Sequence, residues 1–174
     1  QSERWEQALE SALRESGRTP AELASAPKSA PWKRALARKL RDTVAAPYRW
    51  LAENGYAERP FTLAGDSAGG NLSLITLMRA RDAFLPLPDC AVLLSPATDL
   101  TVSGPSQRYN AEADPMFSPA AIDLLPDVYC PGQDRRNPLL SPLFGNWEGL
   151  PPLLLHAGST EMLLDDSIRA HDRA

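Results

Sequence analysis

One serine in this sequence of 174 residues has neighbours that could make it a nucleophile. Ser67 has glycines two positions before it and two positions after it, in the stretch Gly65-Asp66-Ser67-Ala68-Gly69-Gly70. A serine hydroxyl attacks a carbonyl only when it is exposed, has a base beside it and has donors that stabilise the resulting oxyanion. Glycines on both flanks permit a tight turn, because a side chain there would collide as the chain folds back. The spacing makes Ser67 the candidate nucleophile; the alternative is a turn that merely connects two elements.

The residues on either side predict a strand before this turn and a helix after it. Residues 61–64 form a short apolar run, and residues 68–81 are helical in pattern. The backbone N–H of Ala68 would then lie at the positive end of the helix, aimed at an incoming oxyanion. The sequence therefore predicts an oxyanion-hole donor at Ala68 and a strained turn built from Gly65, Asp66, Gly69 and Gly70.

Two more apolar runs predict the rest of a sheet. Residues 91–94 and 153–156 each read as a strand buried on both faces, and helical stretches separate the strands. Such strands form parallel sheets with right-handed crossovers, so the fold class is α/β. A long excursion over residues 98–152 is rich in proline, and Ser118-Pro119 predicts the start of a helix within it. Excursions of this kind often shape pockets.

Residues 1–41 are predicted to be a separate helical segment of unknown role, followed by a domain over residues 42–174. The segment carries nine Lys/Arg against five Asp/Glu. Helical spacing is indicated by Trp5, Leu9 and Leu13, and a capped second helix by Thr19 with Glu22. A further helix is predicted over about 42–54, kinked at Pro47 and closed by Gly55.

Composition excludes several classes of partner. The formal net charge is −4, and no Lys/Arg tract with interleaved aromatic residues could follow a phosphate backbone, so nucleic acid is not an expected partner. No apolar run reaches the roughly 18 residues of a membrane span, and no signal-peptide core is visible, which predicts a cytoplasmic protein. Cys90 and Cys130 lack the spacing of a zinc site or a disulfide framework, so we expect reduced thiols and no metal.

Over about residues 42–169 the sequence resembles the hormone-sensitive-lipase-like branch of the α/β-hydrolases. The resemblance implies a partial three-layer α/β-hydrolase domain with a mostly parallel sheet. It also implies hydrolysis of small-molecule carboxylic esters through Ser67, without cofactor or metal. The matching stretches are Tyr48-Arg49-Trp50-Leu51, the serine turn with Asn71, Leu93-Leu94-Ser95-Pro96, Ser103-Gly104-Pro105-Ser106, Asp114-Pro115-Met116, Ser141-Pro142-Leu143-Phe144, Gly149-Leu150-Pro151-Pro152 and Gly158-Ser159-Thr160-Glu161.

The same resemblance suggests the acid. In hydrolases of this fold the chain order is serine, acid, histidine. The stretch from Thr160 to Asp166 is similar to the family's acid motif, which implies that Glu161 is the triad acid and leaves Asp165 as the alternative. Asp165 and Asp166 also read as residues that open a helix and complement its dipole.

Two parts of the family's machinery have no counterpart in these residues. His156 precedes the acid and His171 follows Glu161 by only ten positions, whereas the family's histidine lies some tens of residues further on. The first 64 residues hold only Gly17 and Gly55, so the family's His-Gly-Gly-Gly oxyanion loop is missing. We therefore expect an incomplete member with little activity by itself and with open sheet edges that favour self-association. The alternative is a catalytically silent binding protein of the same fold.

Overall fold

The computed structural model describes residues 54–174 without a gap and, before them, residues 10–11, 13–15, 17–25, 48 and 51–52. By its internal contacts the chain divides into two compact units, Gln1–Trp50 and Leu51–Ala174. Trp5, Leu9, Pro47 and most of the helix predicted over 42–54 lie outside the described residues. The boundary between residues 41 and 42 stays a prediction.

In the first unit, the described residues confirm the predicted helix cap. Helix α1 spans Pro20–Ser25 and is preceded by Thr19. The Glu22 N–H donates to Thr19 Oγ1 over 3.2 Å, and the Thr19 N–H donates to Glu22 Oε2 over 2.8 Å. This reciprocal pair satisfies two backbone donors that a helix start would otherwise leave without partners.

The second unit contains a parallel sheet of three strands in the order β1-β2-β3. Strand β1 spans Thr62–Asp66, β2 spans Cys90–Leu94 and β3 spans Leu153–His156. Both pairings are parallel, which confirms the predicted fold class. Strand β1 runs two residues past the predicted apolar run, because Gly65 and Asp66 still pair with Leu93 and Leu94.

Two helices pack on the same face of this sheet. Helix α2 spans Ala68–Asp82 and follows β1 directly. The connection from β2 to β3 contains helix α3 (Ser106–Tyr109) and helix α4 (Pro119–Tyr129), and helix α5 (Leu164–His171) follows β3. Helices α2 and α5 share one apolar cluster with the sheet: Leu74, Met78, Leu93, Trp147, Ala170, Leu150, Leu153 and Leu155.

The opposite face of the sheet is more exposed than the sequence suggests. Leu94 is 42% exposed and Leu154 is 61% exposed, and both point away from α2 and α5. The expectation that every strand is buried on both faces is therefore wrong for the described residues, because both helices lie on one side.

Within these same residues, no helix combines the length and the apolar character needed to cross a membrane.

Phe84, two residues after the end of helix α2, has a strained backbone that offers a simple stability test. The Phe84 N–H donates to Arg81 O and the Leu85 N–H donates to Ala80 O, each over 2.9 Å, which is the Schellman pattern. Phe84 occupies the position that favours glycine, with φ at +54° and a side chain 95% exposed. We expect Phe84→Gly to raise the free energy of unfolding by about 1 kcal/mol, since left-handed backbone strain is relieved and almost no burial is lost.

Urea denaturation of the wild type and the variant measures this gain. Phe84→Ala is the matched control, because it removes the ring but keeps the Cβ atom that causes the strain. Equal gains in both variants would assign the effect to the ring and contradict the backbone explanation.

Candidate active site

Ser67 lies on the turn between β1 and α2 in an unusual backbone conformation. Its φ is +54° and its ψ is −115°, outside the regions that residues with a side chain normally adopt. Hydrogen bonds hold it there: the Ser67 N–H donates to Leu94 O over 2.8 Å, and the Ser67 carbonyl accepts from Asn71 N over 3.1 Å and Ala97 N over 3.3 Å. The side chain is partly exposed. The turn therefore presents the hydroxyl at the carboxyl edge of the sheet.

The glycines around Ser67 differ in what they permit. A Cβ atom on Gly65 would lie 2.2 Å from Gly69 O and 2.6 Å from Ser73 Oγ, so the start of α2 packs directly on the backbone of β1. A Cβ atom on Gly70 would lie 2.7 Å from the Cβ of Pro96. At Gly69 nothing lies within 4 Å. The prediction that a side chain would collide is thus right at position 65 and wrong at position 69. The backbone of Gly69 packs on β1, but the α-carbon of Gly69 faces open space.

Ala68 is the first residue of α2, which places its N–H at the amino end of a 15-residue helix. The first N–H groups of a helix have no partner inside it and carry the positive end of its dipole. Asp66 ends β1 with an exposed side chain. This arrangement can stabilise negative charge next to the Ser67 hydroxyl.

Glu161 lies in the turn that follows β3, at the same edge of the sheet as Ser67. Its N–H donates to Gly158 O over 3.2 Å, and its Oε1 accepts from Gly158 N over 2.8 Å. Within the described residues, Oε2 accepts no hydrogen bond. Glu161 thus presents a half-buried carboxylate with one oxygen available to another donor.

Asp165, the alternative acid, is occupied elsewhere. Its Oδ2 accepts from Ser106 N over 2.5 Å, and its Oδ1 accepts from Tyr109 Oη over 3.3 Å. Both bonds tie the first turn of α5 to α3. The geometry therefore favours Glu161 over Asp165 as the carboxylate that can reach an imidazole.

Asp166 is a buried carboxylate that the sequence interpretation missed. It lies in the first turn of α5 as the dipole argument predicts, but it is only 1% exposed. Its Oδ2 accepts from Thr98 N over 2.7 Å and from Asp99 N over 2.9 Å, while its Oδ1 has no partner. Burial raises the pKa of this carboxyl to about 7, although both N–H bonds act to lower it. Helical spacing is the sequence signal that could have indicated this burial, since Asp166 lies one turn before Ala170 on the same buried face of α5.

This raised pKa gives the stability of the protein a pH dependence. Folding favours the protonated form of Asp166, so its contribution is greatest below about pH 4 and is lost as pH rises to about 7. Asp99 works in the opposite direction. Burial raises its pKa, but hydrogen bonds from Ser103, Thr101 and Arg169 outweigh burial and hold the pKa below its usual range.

We therefore compare the free energy of unfolding of the wild type with that of Asp166→Asn. We expect the difference, wild type minus variant, to decrease as the pH is raised from about 4.5 to about 7.5. Urea denaturation at several pH values in this interval measures it. Asp172→Asn is a control at an exposed carboxyl just beyond α5. A wild-type-minus-variant difference that stays constant with pH would contradict the raised pKa.

Neither histidine is joined to the candidate residues. His156 ends β3 with an exposed side chain, and its backbone carbonyl accepts from Ser95 N over 2.7 Å. His171 is the exposed last residue of α5. In the described part of the chain, no imidazole is hydrogen-bonded to Ser67 or Glu161. The structure therefore brings the candidate nucleophile and acid to one edge but places no base between them.

The described residues contain no group of three or more His, Cys, Asp or Glu side chains that could hold a metal ion. Within the described residues, neither Cys90 nor Cys130 forms a disulfide.

Comparisons with known proteins agree with the fold. Residues 28–174 match the model of a family described as alpha/beta hydrolase fold. The chain is 43% identical over 135 residues to an acetyl-hydrolase of Streptomyces hygroscopicus, covering 78% of this chain and 44% of that protein. It is 36% identical over 138 residues to an esterase of Acinetobacter venetianus, covering 76% of this chain and 44% of that protein.

Solved structures give the same result. A crystal structure of an esterase from the bacterial hormone-sensitive lipase family superposes with a TM-score of 0.71 at 42% identity, over 78% of this chain and 45% of that one. A crystal structure of EstE5 soaked with ethyl alcohol gives a TM-score of 0.71 at 45% identity, over 75% of this chain and 44% of that one.

The chain belongs to the α/β-hydrolase fold family. Within that family it is a member of the hormone-sensitive-lipase-like branch. It spans less than half the length of the curated relatives it matches.

Proposed function

We propose that this chain carries the nucleophile and the acid of a serine hydrolase that cleaves small carboxylic esters. The observation that carries the proposal is the backbone of Ser67, held at φ +54° between a parallel strand and a helix amino end. Strain of this kind persists only where surrounding structure enforces it, and it clusters at functional sites. The relatives named acetyl-hydrolase, esterase and carboxylesterase support ester chemistry and favour short acyl groups.

Each candidate residue has a defined role in this proposal. The Ser67 hydroxyl attacks the ester carbonyl, and the Ala68 N–H stabilises the oxyanion of the tetrahedral intermediate. Glu161 orients an imidazole and stabilises the imidazolium that forms when the serine proton is removed. Gly65, Asp66, Gly69 and Gly70 form the turn that keeps the hydroxyl exposed. None of these steps uses a metal or an organic cofactor.

We further propose that the imidazole comes from polypeptide outside these 174 residues. The support is that neither His156 nor His171 is hydrogen-bonded to Ser67 or Glu161. The second set of oxyanion donors, which the family places on a His-Gly-Gly-Gly loop, would come from outside as well. Without the base, turnover is slower by several orders of magnitude, and a missing oxyanion donor costs roughly 10²–10³ more.

The experiment is an ester-cleavage assay with p-nitrophenyl acetate, butyrate and decanoate. Because the base that these residues lack is needed for acylation as well as deacylation, we expect slow release of p-nitrophenol above the buffer rate, fastest with acetate and butyrate. Release at the buffer rate, together with no labelling of the folded chain by a fluorophosphonate, would contradict the proposal. That pair of results would favour the silent binding protein of the same fold.

Self-association is a further part of the proposal. In the described residues β1 and β3 each pair with β2 only, and the exposed Leu154 lies on the outer strand β3. Open edges of this kind template pairing with another chain. Sedimentation velocity over a hundredfold range of concentration tests it, and a constant monomer mass would contradict it.

The cytoplasmic location stays a prediction, which cell fractionation would test.

A further inference from the structure

We infer that Ser106, Asn110 and Asp114, in the connection between β2 and β3, are positioning residues that fix the backbone carrying Glu161. The inference rests on the proposed function, in which Glu161 is the acid. The three residues are spaced four apart, and each contacts backbone groups within residues 159–165.

Asn110 holds the carbonyl groups around the candidate acid. Its side chain is buried, with the residue 8% exposed. Its Nδ2 donates to Ser159 O over 3.1 Å and to Glu161 O over 2.8 Å. One amide group therefore binds the peptide unit before Thr160 and the peptide unit after Glu161.

Asp114 holds the next N–H of the same turn. Its Oδ2 accepts from Met162 N over 2.7 Å, while its Oδ1 accepts from Met116 N over 2.7 Å and Phe117 N over 3.0 Å. Burial raises the pKa of this carboxyl, but the three N–H donors outweigh burial and hold the pKa below its usual range. The carboxylate is thus charged at neutral pH and bridges two turns of backbone.

Ser106 completes the set. The residue is fully buried. Its Oγ donates to Met162 O over 2.7 Å and accepts from Asp165 N over 2.9 Å. Side chains from the β2–β3 connection therefore satisfy four polar backbone groups of this turn: the carbonyls of Ser159, Glu161 and Met162 and the N–H of Met162.

This arrangement matters for the Glu161 side chain because that side chain has so little support of its own. Its one described hydrogen bond comes from Gly158 N, at the beginning of the same turn. The direction of the carboxylate consequently follows from the backbone path over residues 158–162. Catalytic groups lose much of their effect when displaced by about 1 Å, so residues that fix this path act on chemistry without contacting substrate.

The test follows the Gly158 amide in the ¹⁵N-labelled chain by NMR, which needs no catalytic activity. Glu161→Ala defines the chemical shift and exchange rate of this amide without its acceptor. We expect Asn110→Ala to move the Gly158 resonance toward the Glu161→Ala position and to raise its hydrogen-exchange rate about tenfold. Asn71→Ala is the matched control, since Asn71 is 5% exposed and likewise donates its Nδ2 to two carbonyls, Ala97 O and Leu140 O, in a different loop.

An unchanged Gly158 resonance and exchange rate in folded Asn110→Ala would overturn the inference. So would an equal change in Asn71→Ala, because the effect would then be general loosening. If Asn110→Ala does not fold, Asp114→Asn carries the test with the same expected direction, since it keeps one oxygen for the Met116 turn. The Ser67 assays are independent of this amide, so a failure of the proposed ester chemistry and a failure of the positioning inference give different results.

Discussion

Replacing Ser67 with alanine is expected to abolish the release of p-nitrophenol above the buffer rate and all labelling by a fluorophosphonate. The Ser67 hydroxyl oxygen is the atom that attacks the acyl carbon or the phosphonyl phosphorus. Alanine has no hydroxyl to take its place. We expect the protein-dependent release and the labelling to fall to background while the folded structure is retained, because alanine keeps the backbone contacts of the turn. Absorbance of p-nitrophenol and gel fluorescence measure the two effects.

Ser95→Ala is the matched control. Ser95 also has a positive φ, at +44°, and lies at the end of the neighbouring strand β2. We expect the Ser95 variant to release p-nitrophenol at the wild-type rate. Release that survives in Ser67→Ala but disappears in Ser95→Ala would move the nucleophile to the next strand.

Gly65→Ala is expected to be the most damaging conservative change near the site. The new Cβ atom would lie 2.2 Å from Gly69 O and 2.3 Å from Gly69 C, and backbone atoms cannot rotate away as a side chain can. Overpacking of this kind costs about 1–3 kcal/mol or more, and relief requires that α2 move off β1. We therefore expect a drop of at least about 2 kcal/mol in the free energy of unfolding, together with loss of Ser67 labelling.

Gly69→Ala makes the comparison specific. It adds the same methyl group four residues away, where nothing lies within 4 Å, and it replaces glycine inside a helix. We expect its free energy of unfolding to be unchanged or slightly raised, since alanine is the better helix former. Equal destabilisation in both variants would show that the packing at Gly65 is not what sets the turn.

Much of the site's framework could be predicted because it depends on neighbours in sequence. The apolar run at Leu153–His156 has the same bounds as β3, and α2 extends only one residue past the predicted helix. The helix predicted from Ser118-Pro119 begins at Pro119, with the Ala121 N–H donating to Ser118 Oγ over 3.3 Å. Local capping, turn chemistry and periodicity decide these features.

The features that escaped prediction depend on contacts between distant residues. Asp166 is buried because Thr98 and Asp99, nearly seventy positions earlier, donate N–H groups to it. The supports of the Glu161 turn act over about fifty positions, and the spacing of four between Ser106, Asn110 and Asp114 does not reveal which distant backbone groups they bind. The expectation of strands buried on both faces failed for a related reason, since apolar composition does not reveal which side the helices take.

The central claim, that the strained turn makes residue 67 the nucleophile, is tested most directly by locating a covalent adduct. The chain is treated with a fluorophosphonate, digested, and analysed by tandem mass spectrometry. The prediction is a single phosphonyl mass on Ser67, within the peptide that contains Gly65-Asp66-Ser67-Ala68-Gly69. An adduct on any other residue, with Ser67 unmodified in the folded chain, would contradict it.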